Sequence, residues 1–150
     1  MVLKEFLVNN GYTKIKLKLT KTNHFEMKAK INGVRGRFIL DTGASNTLVD
    51  ASNFTMFHLE PEPSDVKVTG AGASNMDSKV SKKNQIKIGQ WTNKSTVIVL
   101  FNLTHVNEGL KSLNVEPVNG IIGTDILKKG KAIIDYEKKY LYLKLPIAIK

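Results

Sequence analysis

Asp41 is the residue around which this sequence has to be explained. It closes the apolar run Phe38, Ile39, Leu40 and is followed by Thr42, Gly43, Ala44 and Ser45. Three consecutive apolar residues read as a strand buried on both faces, and a carboxylate at the mouth of such a strand needs a strong local reason to be there. The chemistry that a carboxylate offers is proton transfer, as a base when ionised and as an acid when protonated. Thr42 and Gly43 read as a tight turn presenting the acid, and Gly43, lacking a Cβ, lets another backbone come close. A phosphoryl-transfer role is disfavoured. There is no Gly-x-x-x-x-Gly-Lys loop, and no carboxylate cluster follows Asp41 to hold magnesium.

Other chemistries find little support. The chain has no cysteine, so neither a disulfide nor a thiolate metal site is available. His24, His58 and His105 are isolated and lack metal-ligand spacing, so no metal and no cofactor is expected. The 23 basic and 13 acidic residues give a net charge of +10, a balance that suits nucleic acid or an acidic partner. The lysines run along the whole chain, however. In "IKLKLTK" and "HFEMKAK" they alternate with apolar residues, as on the solvated face of half-buried strands, and no nucleic-acid motif accompanies them. No nucleic-acid partner is therefore expected. No segment approaches the roughly 18 apolar residues of a membrane span, and "MVLKEFLVNN" is too short an apolar stretch for a signal peptide. No membrane association and a cytoplasmic location are the resulting expectations.

The elements that must position Asp41 are short strands. "YTKIKLKLT" and "HFEMKAKI" flank the polar "KTN", and "NGVRG" leads into "RFIL", giving three strands in quick succession. "ASNFTMFHL" predicts a short helix capped by Ser52 or Asn53, and "EPEPSD" breaks what precedes it. "VKVTGAGASNMDSKV" predicts a hairpin whose tip, "GAGASN", has almost no side-chain bulk. "NQIKIG" and "STVIVLF" continue as strands. "HVNEGLKSLN" predicts a short helix or irregular connection, "VNGIIGTDILKKG" a strand passing through glycine into a short helix, and "KAIIDYEKKYLYLKL" two strands around "EKK". The 150 residues, 41% of them hydrophobic, suffice for one domain, 1–150, with a sizeable core. The pattern is all-β with one or two short helices.

Two segments stand out together: "FILDTGAS", and Gly120-Ile121-Ile122-Gly123 followed by Thr124, Asp125 and a helix. A chance Asp-Thr-Gly occurs in on the order of a few per cent of chains this long. The specificity therefore lies in its conjunction with a glycine-rich hairpin, "NGIIGTDIL" and "AIIDYEKKYLYL", in that order. With these parts the chain resembles the retropepsin-like aspartic proteases from about residue 12 to residue 143. The resemblance implies a closed retropepsin-like β-barrel lobe with a glycine-rich flap hairpin. It implies catalytic roles for Asp41, Thr42 and Gly43, and substrate contacts from Ala44, Gly70, Ala71, Gly72, Ala73 and Ile122. Gly70 and Gly72 would let the flap close over a bound peptide.

The chemistry fits that placement of an acid. Hydrolysing an amide without a metal or a nucleophilic side chain needs one group to take a proton from water and another to give one to the carbonyl oxygen. Two neighbouring carboxylates sharing one proton do both, because like charges that close cannot both ionise. Only one Asp-Thr-Gly is present and no Asp-Ser-Gly. Single-lobed members of the family pair two identical chains, so the resemblance implies a homodimer with Asp41 beside its own copy and a peptide or protein substrate across the boundary. The apolar termini "VLKEFLV" and "LPIAIK" read equally as interface strands or as frayed ends. Where pepsin-like members carry a hydroxyl after the glycine, this chain has Ala44, which implies weakly acidic to near-neutral working conditions. Where many members have Arg after the second motif's glycine, it has Thr124 before Asp125. Only the packing role of the glycine strand is carried over, and Asp125 reads as an N-terminal helical charge. The alternative is a noncatalytic retropepsin-fold module for dimerisation or peptide binding, with Asp41 as a structural turn residue.

Overall fold

The computed structural model describes residues 2–63 and 78–146. The chain opens with α1 (Leu3–Asn9), then β1 (Tyr12–Lys16), β2 (Lys18–Leu19), β3 (Phe25–Ile31), β4 (Val34–Leu40) and β5 (Leu48–Asp50). A single 3-10 turn (Ala51–Asn53) and β6 (Glu62–Pro63) precede the long strands β7 (Lys79–Ile88) and β8 (Trp91–Phe101). The rest is α2 (Thr104–Ser112), β9 (Gly120–Ile122), α3 (Thr124–Lys129), β10 (Ile133–Asp135) and β11 (Tyr140–Lys144).

Local chemistry explains the hairpins. Asn32 (φ 51°) and Gly33 (φ 84°) form the two-residue link between β3 and β4, the left-handed pair that matches the strands' natural twist. Gly89 (φ 59°) opens the corresponding link between β7 and β8. Hydrogen-bonded neighbours run β3-β4-β9-β5-β8-β7, and β7 pairs back to β3 through Lys30↔Lys87 and Ile31↔Ile86, closing a barrel of six strands. A second, three-stranded sheet, β1-β11-β10, packs beside it and carries α1.

The apolar residues divide between two clusters. One fills the barrel, with Ile31, Phe38, Leu40, Phe57, Ile86, Ile98 and Ile122 among its members. The other lies on the outer side of β4, β5, β8 and β9 and is covered by Leu110 of α2. Phe38 and Leu40 point into the first cluster and Ile39 into the second, so the run before Asp41 is indeed buried on both faces.

Two local expectations are corrected. "VLKEFLV" is the helix α1, with Leu7 alone buried, and not an interface strand. Its apolar residues recur at Leu3, Phe6 and Leu7, a helical spacing, and Glu5 lies in the first turn. Of "LPIAIK", only Leu145 and Pro146 lie within the described residues. "ASNFTMFHL" forms one 3-10 turn and a run of turns, and its cap is Asp50, whose Oδ1 accepts from Ser52 N at 3.4 Å. Of the expected flap hairpin, 66–80, residues 66–77, with Gly70 to Ala73 among them, lie outside the described residues, and Lys79 and Val80 begin β7. Among the described residues no helix is long and apolar enough to cross a membrane, and no group of three or more His, Cys, Asp or Glu is placed to hold a metal.

Candidate active site

β9 lies between β4, to which it runs parallel, and β5, to which it runs antiparallel. The chain leaves β4 at Leu40, turns through 41–47 and returns as β5 on the far side of β9. Asp41 extends the β4–β9 ladder by one step, its N–H donating to Ile122 O at 3.0 Å. The turn then folds back on itself. Ala44 N donates to Asp41 O at 3.2 Å, and Gly43 N donates to the Asp41 carboxylate at 2.8 Å. A Cβ on Gly43 would sit 3.2 Å from that same carboxylate oxygen, so glycine keeps the acid uncrowded. Asp41 is half-buried, while Thr42 and Gly43 are exposed.

The turn is anchored from α3 and β9. Thr124 donates to Ala44 O through its N–H at 2.8 Å and through its hydroxyl at 3.2 Å. Thr47, fully buried, donates its hydroxyl to Asp125 at 2.8 Å and its N–H to the other carboxylate oxygen at 3.1 Å, and its hydroxyl accepts from Gly123 N at 3.1 Å. Asp125 is thus a first-turn acid of α3, as expected, and also the tether of the returning chain. The glycines of the second motif are required by contact. A Cβ on Gly120 would lie 2.1 Å from Leu48 O, and one on Gly123 would lie 2.6 Å from Asn46 O.

At the other end of β9, Asn119 clasps both flanking strands. Its side-chain oxygen accepts from Arg37 N at 2.9 Å, its N–H donates to Arg37 O at 2.8 Å, and its carbonyl accepts from Asp50 N at 2.8 Å. Arg37 also pairs with Glu26 at 2.7 Å and with Glu116. The hydrogen bond to Arg37 holds the Glu116 carboxyl below the usual carboxylate range, and Glu116 in turn raises the Arg37 guanidinium. Sequence reasoning singled out neither Asn119 nor Thr47. The only available signal was a polar residue placed beside each glycine-flanked apolar run.

The expected site residues separate into two groups. Asp41, Thr42 and Gly43 come together at one surface. Ala44 and Ile122 do not present side chains there: Ala44 is 2% exposed in the outer cluster and Ile122 is 0% exposed in the barrel. Their backbones, through Ala44 O and Ile122 O, hold the turn instead. Gly70, Ala71, Gly72 and Ala73 lie outside the described residues, but β6 and β7 pair on either side of that segment through Glu62↔Val80 and Pro63↔Lys79. Val80 packs in the same cluster as Ala44.

Other carboxylates near the turn are already engaged. Among the described residues Asp125, at the turn, accepts twice from Thr47, and Asp50, at the far end of β5, accepts from Ser52 N and Leu103 N. Asp41 accepts one backbone N–H and lines none of the cavities found at Lys28, Trp91, Ile15 or Asp50. Alone it can donate or accept a proton at an open surface. Among the described residues it has no titratable hydrogen-bond partner.

Comparison with known proteins bears on this arrangement. The sequence model of a family described as aspartyl protease matches residues 27–126, two thirds of the chain. A retropepsin-like aspartic protease from Rickettsia conorii superposes with a TM-score of 0.62 at 18% identity, over 93% of this chain and 94% of that one. The EIAV protease, solved in complex with the inhibitor HBY-793, superposes with a TM-score of 0.57 at 17% identity, over 79% of this chain and 98% of that one. No curated protein matches the sequence.

Proposed function

The chain belongs to the aspartyl protease family, and from that premise we propose that it is an aspartic endopeptidase whose active site forms when two copies bring their Asp41 carboxylates together. The observation that carries this reading is the state of Asp41: half-buried on a braced turn beside the exposed Thr42 and Gly43, with Asp125, the acid that tethers that turn among the described residues, taken up by Thr47. A twofold axis through the turn supplies the missing carboxylate with no new residue type. Residues 1–150 act as one domain in this arrangement, Thr42 and Gly43 lie at the subunit boundary, and no cofactor takes part.

One Asp41, ionised, takes a proton from a water molecule held between the pair, and the water oxygen attacks the peptide carbonyl carbon. The other Asp41, protonated, gives its proton to the carbonyl oxygen, producing a neutral tetrahedral diol. The first Asp41 then passes the proton it took from water to the amide nitrogen while the second takes one back from a diol hydroxyl, so the C–N bond breaks to give an amine and a carboxylic acid and the pair again shares one proton. The substrate is an extended peptide with apolar side chains flanking the cut. Backbone hydrogen bonds hold it, some of them from the glycine-rich segment 70–73. Ala44 and Ile122 assist by fixing the turn.

The test is cleavage of a peptide library by the wild type and by Asp41→Asn, with sedimentation of both. The expected result is a dimer in each case and a loss of about 10^3-fold or more in kcat for the variant. Mixing wild type with excess Asp41→Asn should depress activity beyond simple dilution, because mixed dimers hold one carboxylate. An unchanged rate in Asp41→Asn, or activity in proportion to wild-type chains alone, would refute the shared site.

A further inference from the structure

The lysines that are scattered in sequence gather in space. On the outer face of the barrel, Lys30 of β3 stands directly opposite Arg35 of β4 on one side and Lys87 of β7 on the other. Directly opposed like charges destabilise a sheet. The three line a cavity of about 340 Å³ together with Lys28. Lys28 also lines a second cavity, of about 600 Å³, where Lys16, Lys18 and Lys139 join it. Seven cations therefore border two cavities that share Lys28, and together these form a cationic band. Among the described residues the only acid lining either cavity is Glu26, already paired with Arg37 at 2.7 Å.

The band is also shaped for a chain. The floor of the second cavity is apolar, with Ile15, Leu17, Leu19 and Met27. Between the two cavities the pairing along one edge of β3 has a short gap. That edge pairs with β2 at Phe25 and Glu26 and with β7 at Lys30 and Ile31, which leaves Met27 to Ala29 without a strand partner there among the described residues. Lys28 alone of these three is exposed, so an extended peptide lies across the gap, with acidic side chains against the cations and apolar ones toward the exposed Leu19. Nucleic acid fits less well, because no aromatic side chain lines either cavity to stack a base.

We infer that this band is a docking surface for an acidic, extended segment of the protein substrate lying outside the cleaved sequence, an inference that rests on the peptidase reading. Phe25 pairs with Leu40, the residue before Asp41. Lys28 and Lys30 lie three and five residues further along β3, about 10 and 17 Å from that end at about 3.3 Å per residue. A substrate chain crosses that distance with a few extended residues. The surface thus selects substrates by charge at a place where the apolar cleavage site does not.

The test uses the full chain carrying Asp41→Asn, so that cleavage does not consume the probe and binding is read whether or not Asp41 is catalytic. Fluorescence anisotropy measures a labelled dodecapeptide of alternating glutamate and valine, the same peptide with glutamine for glutamate, and a single-stranded DNA dodecamer. The glutamate peptide should bind most tightly. Lys28→Gln/Lys30→Gln/Lys87→Gln should weaken it on the order of tenfold. Lys94→Gln/Lys111→Gln/Lys128→Gln, which removes as many charges at positions lining neither cavity, should change it less than twofold. Equal losses in the two triple variants would reduce the effect to net charge and overturn the inference. Tighter binding of the DNA would overturn it in favour of nucleic acid, and absence of binding by the glutamate peptide would overturn it outright.

Discussion

Replacing Thr47 by valine removes one oxygen from the fully buried link between the Asp41 turn and α3, and leaves the side chain's shape almost unchanged. The Thr47 hydroxyl donates to Asp125 at 2.8 Å and accepts from Gly123 N at 3.1 Å. Losing a hydrogen bond to a charged group costs about 1.5–3 kcal/mol, and leaving the Gly123 N–H buried without an acceptor costs about 1–3 kcal/mol. Both losses come from one atom, so they overlap, and about 3 kcal/mol is the expected total. With a urea slope of about 2 kcal/mol per M, the unfolding midpoint should fall by about 1.5 M. Thr47→Ser keeps both bonds and loses one methyl group, for about 1 kcal/mol. Activity should follow: Gly123 and Thr124 hold the Ala44 end of the turn, so the valine variant should lose kcat even where it remains folded. If Thr47→Val unfolds within about 0.5 kcal/mol of wild type, or no earlier than Thr47→Ser, the bracing role assigned to Thr47 is wrong.

The glycines give a contrasting pair. A Cβ at Gly120 meets backbone oxygen at 2.1 Å, so Gly120→Ala should cost about 3 kcal/mol or more, whereas Gly109 in α2 has open space and Gly109→Ala should gain about 0.5–1 kcal/mol. Urea unfolding that ranks the two variants in the opposite order would contradict the packing argument. Tyr142, fully buried on the central strand of the small sheet, has its phenol pKa raised, first by burial and then by Asp135 and Tyr140. A raised folded-state value means that the contribution is fully present below the unfolded value of about 10 and is lost as pH rises through the folded one. Tyr142→Phe should therefore flatten the loss of stability above pH about 10, and identical alkaline slopes in the two proteins would remove Tyr142 as its cause.

What was legible in the sequence depended on how local the signal was. Phe38, Ile39 and Leu40 announce a doubly buried strand because hydrophobicity acts on each residue separately, and Asp41 stands out against them. The order of strands followed from turn residues such as Asn32 and Gly33, whose backbone preference is also local. α1 was misread because "VLKEFLV" is short and apolar, and seven residues satisfy a strand pattern and a helix pattern equally well. Thr47, Asn119 and the cationic band were illegible for a different reason. Thr47 meets Asp125 across 78 residues, and Asn119 meets Arg37 across 82. Lys30 faces Lys87 only because β7 closes the barrel on β3. Alternation along each strand correctly placed the lysines on the solvated face, but the strand register that gathers them is not written in any one strand. Ala44 and Ile122 were assigned to the substrate by position beside the motifs, whereas burial gives them to the core.

The tethers around Asp41 also bear on how two half-sites could assemble. Fixing one residue's backbone costs about 1–2 kcal/mol in conformational entropy, so ordering residues 41–44 costs about 4–8 kcal/mol. Had that ordering waited for a partner, association would have to offset it in both copies, about 8–16 kcal/mol, at a penalty of about 10^6 to 10^12 in the dimer's equilibrium constant. In this chain the cost is already met within the subunit. Ile122 O, Thr124, Gly43 N and the Thr47–Asp125 link hold the turn, and Gly120 and Gly123 allow β9 to come close enough for them to do so. In the proposed dimer the partner then supplies a carboxylate and little else at the reacting centre. It follows that substitutions in the tethers and substitutions at the boundary should separate experimentally. Loosening Thr47 should weaken the isolated subunit and the dimer together, whereas removing the Asp41 charge should leave the subunit's stability nearly unchanged and abolish turnover.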